Sequence, residues 1–459
     1  MHFAFIALAG TSLVIWLYVA VARGAFWRLS AFDDDLAAHP TPGAWPRVVA
    51  VVPARNEAAT IAQTVTSLLR QEYAGDFSIV VVDDHSDDGT ASLAREAAQG
   101  AKAGSRVLVH SAGPLPAGWT GKLWALNEGV SRPVIRTGSF AYPPANSIEP
   151  GLPTNCRTTA SDLGNSSAPP AYYWFTDADV VHAPDTLRRL VARAERDRLE
   201  LTSLMVLLRA KTLPERALIP AFLFFFLKLY PPSWIADRRR STAGAAGGCM
   251  LLRREALERI GGLASICGEV IDDCALARAV KGSGGRIWMG LTRASVSLRA
   301  YDNSGEIRDM IARTAFTQLR YSAALLIGTV LGMVMTYIAP VALIFSGDRA
   351  PQLLAGCAWL LMSLLFLPTV RFYRLSPFWH PCCRLSRCFI RTRPLYRRFV
   401  TGLGTAPDGR AALNLAIAND VARSESHSGS DRLHCRRGPH FDSISRIDGV
   451  GSKSHSTGK

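Results

Sequence analysis

Residues Phe77–Thr90 read FSIVVVDDHSDDGT. A short β-branched apolar run stops abruptly at two carboxylates, and a polar turn ending in Gly and Thr follows. Such a run, bounded by turn residues, reads as a buried strand. Helical spacing resumes over Thr90–Ala98. The unit is therefore strand, acidic turn, helix. Upstream, RVVAVVP (Arg47–Pro53) reads as a second buried strand, and Glu57–Leu69 places Ile61, Val65, Leu68 and Leu69 on one helical side. Downstream, RVLVH (Arg106–His110) and YYWFT (Tyr172–Thr176) read as strands, the latter ending at Asp177-Ala178-Asp179, with a helix over Pro184–Ala194. Alternating strands and helices imply an α/β fold with a doubly wound, mainly parallel sheet. Ligands of such sheets collect at the carboxyl ends of strands, where these acidic turns lie.

Composition sets the surroundings of this block. The 459 residues are 48% hydrophobic and only 19% charged, with a mean hydropathy of +0.12. That excludes a largely disordered chain and points to membrane segments. The net charge is +15, but +9 of it falls from Phe372 onward. The basic balance thus describes the tail, and a nucleic-acid partner is not expected. Nine cysteines with no metal-site spacing read as reduced thiols of a cytoplasmic protein.

Three stretches have membrane-spanning character. Phe3–Val21 carries no charge and is followed by Arg23 and Arg28; residues 1–23 read as a retained anchor with its C-terminal side in the cytoplasm. Ser322–Phe345 and Leu353–Val370 are also uncharged and have arginines on both flanks. Residues 322–371 thus read as a transmembrane hairpin with a short outer loop. Ala217–Tyr230 is shorter and holds Lys228, so 217–235 is expected to be an interfacial helix. The expectation is a multi-pass protein of the cell inner membrane with a cytoplasmic domain over 45–315. Within it, 131–170 is rich in Pro, Ser, Asn and Thr and reads as a surface insertion. The tail, 380–459, is basic and aperiodic and reads as disordered or divergent.

The chemistry-bearing residues are carboxylates. Asp83 and Asp84 end one strand, Asp177 and Asp179 another, and a third cluster runs from Glu269 to Asp273, beyond the glycine-rich Gly244–Gly248. Carboxylates at i and i+2 of a strand-end turn suit one hard cation, Mg²⁺ or Mn²⁺, with positions left for phosphate oxygens. A separate Asp is available as a base toward an acceptor hydroxyl.

These motifs carry a resemblance. PARNEAATI (Pro53–Ile61), VVDDHSDDGT (Val81–Thr90), GKLWALNEG (Gly121–Gly129), TDAD (Thr176–Asp179) and IDDCALA (Ile271–Ala277) resemble family 2 glycosyltransferases of the GT-A fold. WTGK, FTDAD, GEVIDDCALAR and RTAFTQLRYS together most resemble the hopanoid-associated membrane members. The resemblance implies that Pro53, Ala54 and Glu57 line a nucleotide pocket, and that Asp84, with Asp83, holds the base or ribose. It puts Lys122 toward the nucleotide or diphosphate, Asp177 near the ribose or the metal, and Asp179 on the metal. Asp273, the second acidic residue of its pair, is the implied base; Asp272 stands where Glu is usual, so either remains a candidate. Arg320-Tyr321 occupies the place of the Arg-Trp of processive relatives, with Thr317 in place of Gln. That departure argues against a processive polymerase.

The implied function is metal-dependent, inverting transfer of a sugar from a nucleotide-sugar to a membrane lipid, with a hopanoid as the implied acceptor. A polyprenyl-phosphate-sugar or polysaccharide synthase is the enzymatic alternative. A membrane-tethered nucleotide-binding scaffold is the non-enzymatic one.

Overall fold

The computed structural model describes residues 2–29, 32, 44–101, 104–131, 169–301, 304–310 and 322–376. They lie within one compact unit, Met1–Thr405. Most of the expected 131–170 insertion, the whole tail from 380, and Arg320 with its neighbours fall outside the described residues.

Eight strands form one sheet in the order β3-β2-β1-β4-β7-β6-β8-β5. They are β1 (Val48–Ala54), β2 (Phe77–Asp83), β3 (Val107–Ser111), β4 (Tyr172–Thr176), β5 (Val180–His182), β6 (Leu201–Leu207), β7 (Cys249–Arg253) and β8 (Ile287–Ser297). β1 pairs in parallel with β2 and β4, β2 with β3, and β6 with β8. β7 runs antiparallel to both β4 and β6, and β5 is antiparallel to β8. The first half is thus the expected wound parallel sheet, and the second half is mixed.

Side-chain alternation explains why the sheet is covered on both faces. Val49 and Val51 of β1, Val80 and Val82 of β2, and Tyr173 and Phe175 of β4 pack into one core. Their neighbours Val48, Ala50, Val52, Ile79, Val81, Tyr172 and Trp174 pack into the other. A strand apolar on both faces needs a layer on each. On the second side lie α2 (Ile61–Leu69), α3 (Thr90–Gln99) and α5 (Thr186–Asp197). α2 starts at Ile61, four residues later than its spacing suggested, because Asn56 takes a left-handed φ of +54° and the intervening residues form a turn.

The first side carries α4 (Gly121–Ser131), α6 (Leu213–Leu229) and α9 (Asp272–Gly282). α4 lies close on the sheet at Gly129, where an added Cβ would stand 2.3 Å from Val51 Cγ1. α6 begins at Leu213 through a capping box between Thr212 and Glu215. Glu215 is fully buried, and it also accepts from the amides of Lys211 and Tyr301.

Four helices are long and apolar enough to cross a membrane: His2–Val21 (α1), Leu213–Ala236, Ala323–Leu343 and Arg349–Phe372. The first and the last two fall on the apolar stretches Phe3–Val21, Ser322–Phe345 and Leu353–Val370. The second is longer than the expected interfacial stretch and packs into the same core, Phe224 meeting Phe26 and Phe366 edge-on at 5.1 and 5.3 Å. Trp16 of α1 is fully buried, and its Nε1 donates to Thr336 O at 2.9 Å.

Candidate active site

The carboxyl ends of β1, β2 and β4 and the first turns of α4 and α9 bring the acidic residues together in one cleft. Two loops form one of its walls. Asn56 N donates to Ser86 Oγ (2.9 Å), Ala58 N to Asp88 Oδ2 (3.0 Å), Asp87 N to Asn56 Oδ1 (3.1 Å) and Glu57 N to Thr90 Oγ1 (2.8 Å). The hydrogen bond from Thr90, followed by the Ala58 amide, holds the Asp88 carboxyl below the usual range. Asp88 through its carboxylate and Asp87 through its backbone amide therefore stitch the two loops together. His85, at φ +55°, occupies a position that favours Gly or Asn.

Asp84 is buried, and its Oδ2 is 3.3 Å from Arg55 Nη1. The start of α4 fits against it because residue 121 is glycine: a Cβ there would stand 2.5 Å from Asp84 Oδ2. A negative group at a helix N-terminus is electrostatically favoured. Asp83 is also buried; its carbonyl accepts from Ala112 N, while its Oδ1 has no partner among the described residues. Pro53 and Ala54 are the last two residues of β1, and Ala54 O accepts from Asp84 N (2.8 Å), which fixes the two strand ends together.

Next comes the β4 turn. Asp179 is 8% exposed; its Oδ2 accepts from Ser297 Oγ (2.8 Å) and its carbonyl from Leu298 N (2.7 Å). Burial, and then the neighbouring Asp177 charge, raise its carboxyl above the usual range. Burial also raises Glu57, and the charges of Asp179 and Asp177 push the same way, against a hydrogen bond from Thr60 and the Arg299 guanidinium. Behind the turn, buried His182 bridges Thr176 Oγ1 and Ser295 Oγ at 2.8 Å each. Burial drives its imidazole down to about 3, so it is a neutral strut.

The opposite wall is the first turn of α9. Asp273 accepts from Gly247 N on Oδ2 (2.9 Å) and from Cys274 N on Oδ1 (2.6 Å). Burial, then the Asp272 charge, raise its carboxyl to about 6 despite Lys122. Gly247, in the glycine-rich segment, thus commits its amide to Asp273. Lys122 Nζ spans the cleft, 2.8 Å from Asp177 Oδ1 and 3.5 Å from Asp272 Oδ2. Burial opposes its charge, but Asp177 and Asp272 reverse that and hold the ammonium more firmly protonated than usual.

This arrangement brings Glu57, Asp84, Lys122, Asp177, Asp179, Asp272 and Asp273 around one cleft. Ser297, Arg299 and His182 were not expected; they come from a region read only for its motifs. Among the described residues no three His, Cys, Asp or Glu side chains enclose a cation by themselves. The donor set at Asp177 and Asp179 is hard oxygen that under-coordinates an ion, which suits Mg²⁺ or Mn²⁺ completed by ligand oxygens.

A family model described as glycosyltransferase-like family 2 matches residues 46–317, more than half the chain and all of the cleft. The chain belongs to this family. It is an enzyme, a glycosyltransferase that uses a nucleotide-sugar, and its mixed α/β sheet is of the GT-A type. No curated protein matches this glycosyltransferase in sequence. Among solved structures, a mannosyltransferase from Pyrobaculum calidifontis, in complex with GDP-Man and Mn²⁺, is 19% identical; the alignment covers 83% of this chain and 98% of that one, at a TM-score of 0.48. A mannosyl-3-phosphoglycerate synthase from Rubrobacter xylanophilus is 15% identical over 66% of this chain and 79% of its own, at 0.34. A glucosyl-3-phosphoglycerate synthase from Mycobacterium tuberculosis, in complex with Mg²⁺ and UDP, is 14% identical over 59% and 78%, at 0.33.

Proposed function

We propose that this glycosyltransferase is anchored in the inner membrane and moves one sugar from a nucleotide-sugar to a lipid hydroxyl at the cytoplasmic face, with inversion. The observation that carries the reading is the facing pair of walls: Asp177 and Asp179 on one side, Asp272 and Asp273 on the other, with Lys122 between them. A single carboxylate held in place by two backbone amides suits a base.

Asp273 is the base in this reading. Its two oxygens keep one lone pair each after accepting from Gly247 and Cys274. It takes the proton of the acceptor hydroxyl as that oxygen bonds to the anomeric carbon. The bond from the anomeric carbon to the diphosphate breaks, and the nucleoside diphosphate leaves with the electron pair. Asp272 instead orients Lys122. Asp84 and Glu57 sit where the nucleoside would lie, on the wall formed with Pro53, Ala54 and Asp83. Asp177 and Asp179 would hold a divalent cation, whose charge would stabilise the departing diphosphate. Arg320 stays assigned to the donor on sequence grounds alone.

The lipid acceptor is supported by the four apolar helices and by the packing of α6 with the last of them, beside the domain that carries the base. A hopanoid is the lipid class that the resemblance favours. The experiment is lipid profiling of a strain lacking the gene against the complemented strain. Loss of one monoglycosylated lipid, restored by the wild type and not by Asp179→Ala, is expected. An unchanged lipid profile, or loss of a polysaccharide alone, contradicts the proposal.

A further inference from the structure

Lys122 does more than wait for a ligand, because its ammonium already binds the two walls together. Nζ lies 2.8 Å from Asp177 Oδ1 and 3.5 Å from Asp272 Oδ2. Asp177 is the more exposed carboxylate of the β4 turn, and the Lys122 side chain is itself 38% exposed, so both meet whatever enters the cleft. The backbone passes close beside the ammonium on the acceptor side: a Cβ at Gly247 would lie 3.3 Å from Nζ.

A divalent cation and an ammonium in contact with the same carboxylate repel each other. A cation arriving alone must displace Lys122 from Asp177 and leave it with the longer Asp272 contact. A cation arriving with a diphosphate brings anionic oxygens that replace what the ammonium loses.

We propose that Lys122 is a positioning residue that reserves Asp177 for a cation accompanied by a nucleoside diphosphate, so that the site discriminates against the bare cation. This rests on the glycosyl-transfer reading of the cleft and adds to it an order of preference among its ligands. Coupling of this kind is reciprocal: the diphosphate tightens the cation by the same factor by which the cation tightens the diphosphate.

The test is calorimetric titration of the full-length protein in detergent with MnCl₂ alone, GDP or UDP alone, and each nucleotide with MnCl₂. Lys122→Met is expected to bind Mn²⁺ alone about tenfold more tightly than the wild type, and to lose about tenfold of the mutual enhancement between Mn²⁺ and nucleotide. Lys122→Arg is expected to restore the enhancement. Arg254→Met removes a positive charge of the same kind from the Arg254–Glu258 pair, away from the site, and is expected to keep the enhancement. Should Lys122→Met not fold by circular dichroism, Lys122→Gln takes its place. An enhancement unchanged in Lys122→Met (or its replacement Lys122→Gln), or Mn²⁺ binding alone no tighter there than in the wild type, overturns the inference and leaves the glycosyl-transfer reading standing. A wild type that shows no Mn²⁺-dependent binding of either nucleotide contradicts both.

Discussion

Asp272 and Asp273 are adjacent in sequence but held differently. Asp273 is gripped by two backbone amides, whereas Asp272 faces Lys122 and its Oδ2 has no hydrogen-bond partner among the described residues. Asp273→Asn is therefore expected to lower turnover by about 10²–10⁴ with nucleotide binding retained, and Asp272→Asn to lower it far less. Steady-state kinetics beside nucleotide titration decide this. The base works ionised, so activity should fall as pH drops through about 6, where burial and Asp272 have moved the Asp273 carboxyl; a rate flat from pH 7 to pH 5 contradicts the assignment. Ser297 donates to the buried oxygen of Asp179. Ser297→Ala should weaken Mn²⁺ binding in the presence of nucleotide about tenfold or more, as loss of an outer hydrogen bond commonly does. The acidic residues were legible in the sequence because paired carboxylates at strand ends have no role in a core. Ser297 was not: it looks like any strand serine, and its partner lies 118 residues away.

At the scale of elements, the wound half of the sheet was readable because β1, β2 and β4 are unbroken apolar runs. β8 mixes Gly, Thr, Arg and Ser over eleven residues, and its place between β6 and β5 is set by tertiary pairing. β7 runs antiparallel, against the βαβ pattern that the first half establishes. Two positions test how the first layer of helices is seated. Gly129→Ala forces a methyl into Val51 and should destabilise the fold by about 1–3 kcal/mol, read by denaturant melts. Glu215→Ala strips the buried acceptor from the amides of Lys211, Thr212 and Tyr301. With each orphaned group costing about 1–3 kcal/mol, the start of α6 should loosen, seen as faster proteolysis there.

The whole molecule couples the glycosyltransferase block to apolar helices, and under the proposed function oxygens from β2, β4 and α9 act together on one donor. The hydropathy of the sequence located the apolar helices, but not how α6 joins the helical layer, since the short run and Lys228 made it read as interfacial. Lys228 resolves this by pairing with Tyr337 Oη at 2.6 Å. The most direct measurement is sugar transfer by the purified full-length protein, supplied with a panel of nucleotide-sugars and a bacterial lipid extract, with Mn²⁺ or with a chelator. The account predicts a single glycosylated lipid formed from one donor, abolished by the chelator and by Asp179→Ala or Asp273→Asn in a folded protein. Undiminished transfer in the chelator and in both variants would contradict it.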